Sequence, residues 1–142
     1  MGYRGYHARE LAPRFAFGHG LSYGAAEWGE PAASATTVGV GDTVSVKVPV
    51  TASGDRDATV VVQGYVAPVA PAAVRPPKEL KSWTKLAVPA GATVDAMLGF
   101  GPEAFHHWDT ATAGWLIEPG DYDLVIGASV DDEHARIRVT VA

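Results

Sequence analysis

The side chains able to do chemistry fall into three groups in this sequence. His106, His107 and Asp109 stand together in "AFHHWD", and imidazole and carboxylate groups bind metals and carry protons. On a strand, adjacent residues point to opposite faces, so the two histidines are badly placed to hold one ion. A site would have to recruit His7, His19 or His134, and their spacing matches no known ligand pattern. No metal and no cofactor is expected. The carboxylates form the second group, Asp121 with Asp123 and the run Asp131 to Glu133. Cleaving a glycosidic bond needs two carboxyl groups about 5–9 Å apart, one of them holding a proton. Both clusters read as turn segments, where Asp and Glu are ordinarily solvated. No catalytic residue is assigned. A G-x-S-x-G elbow is absent, and the G-x-G of "GVGDTV" lacks a strand-to-helix context.

Aromatic residues make the third group. Trp83, Trp108 and Trp115, with Trp28, are candidates for stacking on sugar rings. Tryptophan is also the largest core residue, and no two of these sit in a regular exposed pattern. Core or domain contact is therefore expected for most of them. In "RFAFGHGLSYG" a histidine stands between Gly18 and Gly20 among Phe15, Phe17, Leu21 and Tyr23. His19 there reads as ligand, base or structural peg.

The elements that would position these groups are mostly strands. The first twenty residues show neither helical nor strand periodicity, yet their aromatics need a cover. From Leu21 the period becomes two. In "TVSVKVPVT", Val44, Val46, Val48 and Val50 share one face, and Pro49 marks a place where the strand has an edge. Further strands are read at residues 58–66, 93–100, 121–128 and 135–142, separated by "SGDRD", "PAG", "EPGD" and "DDE". "GPEAF" reads as one helical turn with Pro102 at its start. Pro76 and Pro77 place "RPPKELKSWTKL" at a sheet edge or in a connection. Within it Leu80, Trp83 and Leu86 are expected to pack, while Lys78, Glu79 and Lys81 face water. The pattern is that of an all-β antiparallel sandwich. Tyr122, just after the turn of "EPGDYDLVIGAS", matches a tyrosine corner, with a buried ring and a hydroxyl returned to nearby backbone.

Composition agrees with one folded domain. At 142 residues with 47 % hydrophobic and 19 % charged residues, the chain can bury a core without staples. Its net charge of −5 and scattered Lys and Arg present no surface for nucleic acid or an anionic membrane. With no cysteine, thiol chemistry and disulfides are excluded. No apolar run reaches the roughly 20 residues of a membrane helix, and "MGYRGYHARE" lacks the apolar region of a secretory signal. The compartment stays open.

Together, "GYRGY", "FAFGHGLSY", "RPPKELKSWTKL", "VPAG" and "GWLIEPGDYDLVIGAS" resemble the carboxy-terminal part of glycoside hydrolase family 3 enzymes, the β-glucosidases and β-xylosidases. The resemblance implies a fibronectin type III-like (immunoglobulin-like) β-sandwich at residues 21–142, with an irregular amino-terminal connector at 1–20 leaving a preceding α/β domain. It implies a non-catalytic accessory domain that packs on and stabilises the catalytic domains of a retaining β-glycosidase. The structural or interdomain residues it points to are Phe15, Phe17, Gly18, His19, Gly20, Tyr23, Arg75, Glu79 and Tyr122. His19 then reads as a hydrogen-bonding peg, with Phe15, Phe17, Leu21 and Tyr23 anchoring the turn. The alternative is a carbohydrate- or surface-binding module built on exposed aromatics. The chain departs from the family pattern at Gly5, His7, Ala16 and Gly64. Gly64, where leucine is usual, is expected at a bulge or at a gap filled by an aromatic. Residues 1–23 should pack back on the sandwich or pair with another copy. Removing residues 1–13 should then raise solubility or shift a dimer towards monomer, and leave the sandwich folded.

Overall fold

Valines alternating with polar residues make a strand with one dry face. In the computed structural model, which describes residues 2–142, Val44, Val46, Val48 and Val50 are fully buried. Met1 of the expected connector lies outside the described residues. The elements in chain order are α1 (Gly2–Ala8), β1 (Ala26–Trp28), β2 (Ala32–Ala33), β3 (Thr37–Val38), β4 (Val44–Ala52), β5 (Ala58–Pro68), β6 (Glu79–Val88), β7 (Thr93–Phe100), β8 (His106–Asp109), β9 (Gly114–Ile117), β10 (Gly120–Gly127) and β11 (Glu133–Val141). A single 3₁₀ turn, Pro102–Ala104, opens on its proline as "GPEAF" predicts.

Two sheets face each other. In the first, β4 pairs with β7 along one side and with β1 and then β2 along the other. The second has the order β3-β11-β10-β5-β6, and β8 and β9 form a separate hairpin. All pairs are antiparallel except β3 with β11, a departure from the purely antiparallel expectation. Pro49 falls where β4 passes from β1 to β2. Its carbonyl accepts from Gly29 N–H at 2.8 Å, and the N–H it lacks would point to the same gap. The edge read at Pro49 is this gap, since β7 pairs the other side.

The core lies between the sheets, where Val62, Val66, Leu124 and Ile126 meet Val46, Val48, Leu98 and Phe100. Gly64 shares the inner face of β5. A Cβ there would stand 2.6 Å from Phe100 Cζ and 3.0 Å from Leu98 Cδ1, so the phenyl ring fills the missing leucine's place. The β5–β6 register also shifts between Gly64 and Tyr65, because Gly64 pairs Ser82 while Tyr65 pairs Leu80. Both features expected of Gly64 are present.

That bulge decides which side chains of β6 face where. It passes over Lys81, so Leu80 and Trp83 both fall on the outer face of the sheet, opposite Tyr65 and Gln63, while Leu86 faces inward. Trp83 is consequently 65 % exposed, against the expectation that it packs. Lys78, expected in water, is buried. The period-two pattern read from Leu21 begins only at Ala26, after an irregular stretch.

Alanine at Gly64 should destabilise the fold by about 1–3 kcal/mol through overpacking against Phe100. Alanine at Gly99, where nothing stands within 4 Å of the new methyl group, should be neutral or stabilising by up to about 1 kcal/mol. Urea unfolding of the two variants checks the contrast.

Candidate functional site

β5 reads "ATVVVQGYVAP" because its second half is covered on both sides; Val62 to Ala67 are all buried. A strand with only one dry face alternates, whereas one with two dry faces runs continuously apolar. The inner cover is the other sheet. The outer cover is the connector, which meets Tyr65, Ala67, Val125 and Val130 with Tyr3 and Ala16, and Leu80 of β6 packs beside them.

The connector is not irregular throughout, because Gly2–Ala8 form the helix α1. Two glycines in seven residues make a poor helix by propensity, so contacts to the sheet hold it. Tyr3 and His7 share a helix face, with ring centroids 6.0 Å apart. The Tyr3 ring sits edge-on to Tyr65 at 5.9 Å and tilted against Phe17 at 5.0 Å. Its hydroxyl accepts from Leu80 N–H at 2.7 Å, satisfying a donor on the edge strand β6. Arg4 pairs with Glu79 at 2.8 Å and His7 with Asp131 at 2.9 Å. Further along, Phe17 C=O accepts from Val130 N–H. Gly18, at φ +87°, lies so close to Gln63 that a Cβ would meet its amide nitrogen at 2.1 Å, so a side chain there would be strained and would displace that amide. Gln63 is held by donating to Ala128 C=O and accepting from the Tyr65 hydroxyl.

Beyond this seat the same segment turns its apolar side chains outward. Phe15 is 67 %, Leu21 95 % and Tyr23 98 % exposed. Leu21 and Tyr23 therefore anchor nothing within this chain, contrary to the expected anchoring role. The His19 ring stacks on Phe15 at 5.5 Å, and among the described residues it makes none of the side-chain hydrogen bonds expected of a peg. Gly20 follows with open space around it. Between this loop and the sheet runs a groove of about 380 Å³ whose walls include His19, Trp28, Val61 and Asp132. Removing residues 1–13 would strip Tyr3 from Tyr65 and open the second core cluster, so the solubility gain expected of that truncation is withdrawn.

The carboxylates are tied to cations. Asp121 and Asp123 sit on strand β10 rather than in a turn. There Arg138 Nε donates to Asp123 at 2.6 Å, and Arg138 Nη1 stands 3.7 Å from Asp121. Glu133 takes Lys78 at 2.5 Å and Arg136 at 2.8 Å. Lys78 also donates to Val130 C=O and lies over the Tyr65 ring, which is how an ammonium is accommodated under the connector. Burial works to raise the Glu133 carboxyl, but hydrogen bonds and charge from Lys78 and Arg136 outweigh it and hold the group below its ordinary range. At Asp109 the Thr112 hydroxyl, then the Ala111 N–H, lower the carboxyl in the same way. A general acid needs the opposite shift. Among the described residues no three His, Asp or Glu side chains converge as metal ligands.

Tyr122 is buried, and its hydroxyl donates to Glu118 C=O at 2.6 Å, the geometry of a tyrosine corner. Burial raises its phenol. Arg75, 3 % exposed, lies 5.8 Å over that ring and donates to the carbonyls of Phe105 and His106 at 3.3 Å. It also stands 4.0 Å from Glu79, which links it to Arg4. From this root rises the β8–β9 hairpin, whose second strand has no clear signal in the sequence. His106 and His107 point to opposite faces, as expected. Trp108 and Trp115 pair directly across the strands at 5.6 Å and are 52 % and 68 % exposed. Only Trp28 of the four tryptophans packs on the core, correcting the expectation that most would do so.

The family model described as "Fibronectin type III-like domain" matches residues 60–130. A β-glucosidase of Rhizobium radiobacter is 37 % identical over 139 residues, which are 98 % of this chain and 17 % of that protein. An exo-α-(1→6)-L-arabinopyranosidase of Bifidobacterium breve is 34 % identical over 141 residues, 99 % of this chain and 18 % of that protein. The crystal structure of a GH3 β-glucosidase from Bifidobacterium adolescentis superposes with a TM-score of 0.91 at 33 % identity, covering 99 % of this chain and 20 % of that one. The chain spans about a fifth of the length of the proteins it matches.

The Lys78–Glu133 pair carries a pH signature. Glu133 titrates below its ordinary value of 4.5 in the folded state. Its stabilisation is therefore present above about pH 4.5 and lost as pH falls through the lower, folded value. Glu133→Gln should cost no more than about 1 kcal/mol at pH 7, because solvent screens a carboxylate this exposed, and the gap to the parent chain should close in acid. Urea midpoints measured from pH 7 to pH 3 follow it; parallel curves at all pH values would reject the pairing.

Proposed function

Since the chain belongs to the fibronectin type III-like domain family and corresponds to that domain of family 3 glycoside hydrolases, we propose that it is a non-catalytic accessory domain of such an enzyme. Residues 1–20 are the connector and 21–142 the sandwich. The catalytic carboxylates, a nucleophile and an acid/base in a retaining mechanism, belong to other domains of the parent protein. This domain packs on those domains and stabilises them. The sugar cleaved is set there too, since proteins similar to this chain carry names as different as β-glucosidase and exo-α-(1→6)-L-arabinopyranosidase.

One observation carries the reading. The segment from Phe15 to Tyr23 is pinned to the sheet by Phe17 and Gly18, yet it exposes Phe15, Leu21 and Tyr23 in one short loop. Apolar side chains held outward in this way form a contact surface for another body. In a larger enzyme that body is the catalytic part; for the isolated chain it is a second copy, docking through residues 1–23. The partners of this loop are protein surfaces, with no nucleic acid or membrane involved.

Two measurements test it. The isolated chain should release no nitrophenol from an aryl β-glucoside above background, and turnover abolished by a carboxylate substitution would overturn the non-catalytic reading. The triple variant Phe15→Ser, Leu21→Ser, Tyr23→Ser should unfold within about 0.5 kcal/mol of the parent chain. It should also lose the concentration-dependent sedimentation expected of the parent chain. A monomeric parent chain that binds no hydrophobic dye would contradict the contact surface.

A further inference from the structure

The β8–β9 hairpin lies outside the contact surface just described. Phe17 and Gly18 seat the connector at Val130 and Gln63, beside the Gly127 end of β10, whereas β9 leads into that strand at Gly120. Eight residues of strand separate the two ends, roughly 25 Å. Whatever covers Leu21 and Tyr23 does not thereby cover Trp108 and Trp115.

The hairpin is stiffer than an isolated pair of four-residue strands would be. At its tip both oxygens of Asp109 are occupied: Oδ1 accepts from Ala111 N–H, and Oδ2 from the Thr112 N–H and hydroxyl. At its root Arg75 grips the Phe105 and His106 carbonyls, and Phe105 packs edge-on against Tyr122. The cross-strand register puts His106, Trp108, Trp115 and Ile117 on one face. Ile117 packs toward the core, leaving three aromatic rings outermost. His106 stacks on Trp115 with an interplanar angle of 26°, and Trp108 meets Trp115 at 81°.

We infer that this face is a binding platform for a neutral pyranose oligosaccharide, with Trp115 and Trp108 as its stacking surfaces. The absence of charge around the rings selects the ligand. In a chain of net charge −5, this face carries no carboxylate and no Lys or Arg, and the neighbouring Asp109 is consumed by the turn. An ionic ligand would find no counter-charge there. A sugar needs none, because its weakly positive C–H faces lie against the negative faces of indole rings. The platform is preorganised, so binding does not have to order the hairpin first. The inference is independent of the accessory-domain reading; it concerns a ligand of this chain alone.

Indole N–H resonances of the intact 142-residue chain test it without any substitution. On titration with cellohexaose or laminarihexaose, the Trp108 and Trp115 signals should shift and saturate with a dissociation constant on the order of 1 mM, while those of Trp28 and Trp83 stay put. Trp115→Ala and Trp108→Ala should each weaken binding about tenfold or more, with core amide shifts unchanged, and Trp83→Ala should not. No indole shift with either sugar at the solubility limit would overturn the proposal, as would shifts centred on Trp28 or Trp83. So would hairpin indoles that move with protein concentration alone, which would mark the face as a contact between copies.

Discussion

Burying one strand on both faces is the constraint from which most of this structure follows. From Val62 to Ala67, β5 has no solvent side. Its inner residues are covered by the opposing sheet, as in any sandwich. Its outer residues, Tyr65 above all, need a second cover that a seven- to nine-stranded sandwich does not supply by itself. The connector provides it, and the requirement explains details that would otherwise look unrelated. α1 forms despite two glycines because Tyr3 must reach Tyr65. Gly18 has no side chain because the backbone must lie on Gln63. Lys78 is drawn under the connector because its stem covers apolar surface while its ammonium finds Glu133 and the Val130 carbonyl. Packing the Tyr3 ring against Tyr65 and Phe17 contributes against the entropy of ordering a short helix.

A second point of attachment lies at the other end of the sandwich. Tyr122 closes its own turn through Glu118, a bond worth about 1 kcal/mol. Its ring then becomes the floor on which Arg75 rests. The guanidinium reaches the root of the β8–β9 hairpin, and through Glu79 it communicates with Arg4 of the connector. One buried cation thus ties three segments distant in sequence, which a lysine with its single ammonium point could not do.

Much of the sandwich was legible in the sequence because its physics is local. Alternation in "TVSVKVPVT" and "TVDAMLGF" reports faces directly, and Tyr122 announces its corner by its place after a Gly turn. Gly64 was readable as a gap because a missing side chain must be filled by something, here Phe100. What stayed hidden depends on contacts between distant residues. The helix at Gly2–Ala8 has no propensity signal, since its support is Tyr65, some sixty residues away. The skipped Lys81 in the β5–β6 pairing moves Trp83 to the outer face, and no spacing rule foresees a one-residue shift. The hairpin strand Gly114–Ile117 is four residues long and carries no alternation, so Trp108 and Trp115 were not seen as a pair. One signal does stand in the sequence: the near-continuous apolar run of β5, broken by Gln63, implies a cover on its second face.

Amide hydrogen exchange at Leu80 and Val130 tests most directly whether the connector is part of the fold or a tail lying beside it. Their N–H groups donate to the Tyr3 hydroxyl and the Phe17 carbonyl, two main-chain donors by which the sandwich holds the connector. The account predicts that both amides are slowed in the intact chain by at least about a hundredfold relative to an open backbone. Exchange of Leu80 and Val130 at open-backbone rates, while Val62 and Leu124 remain protected, would contradict it.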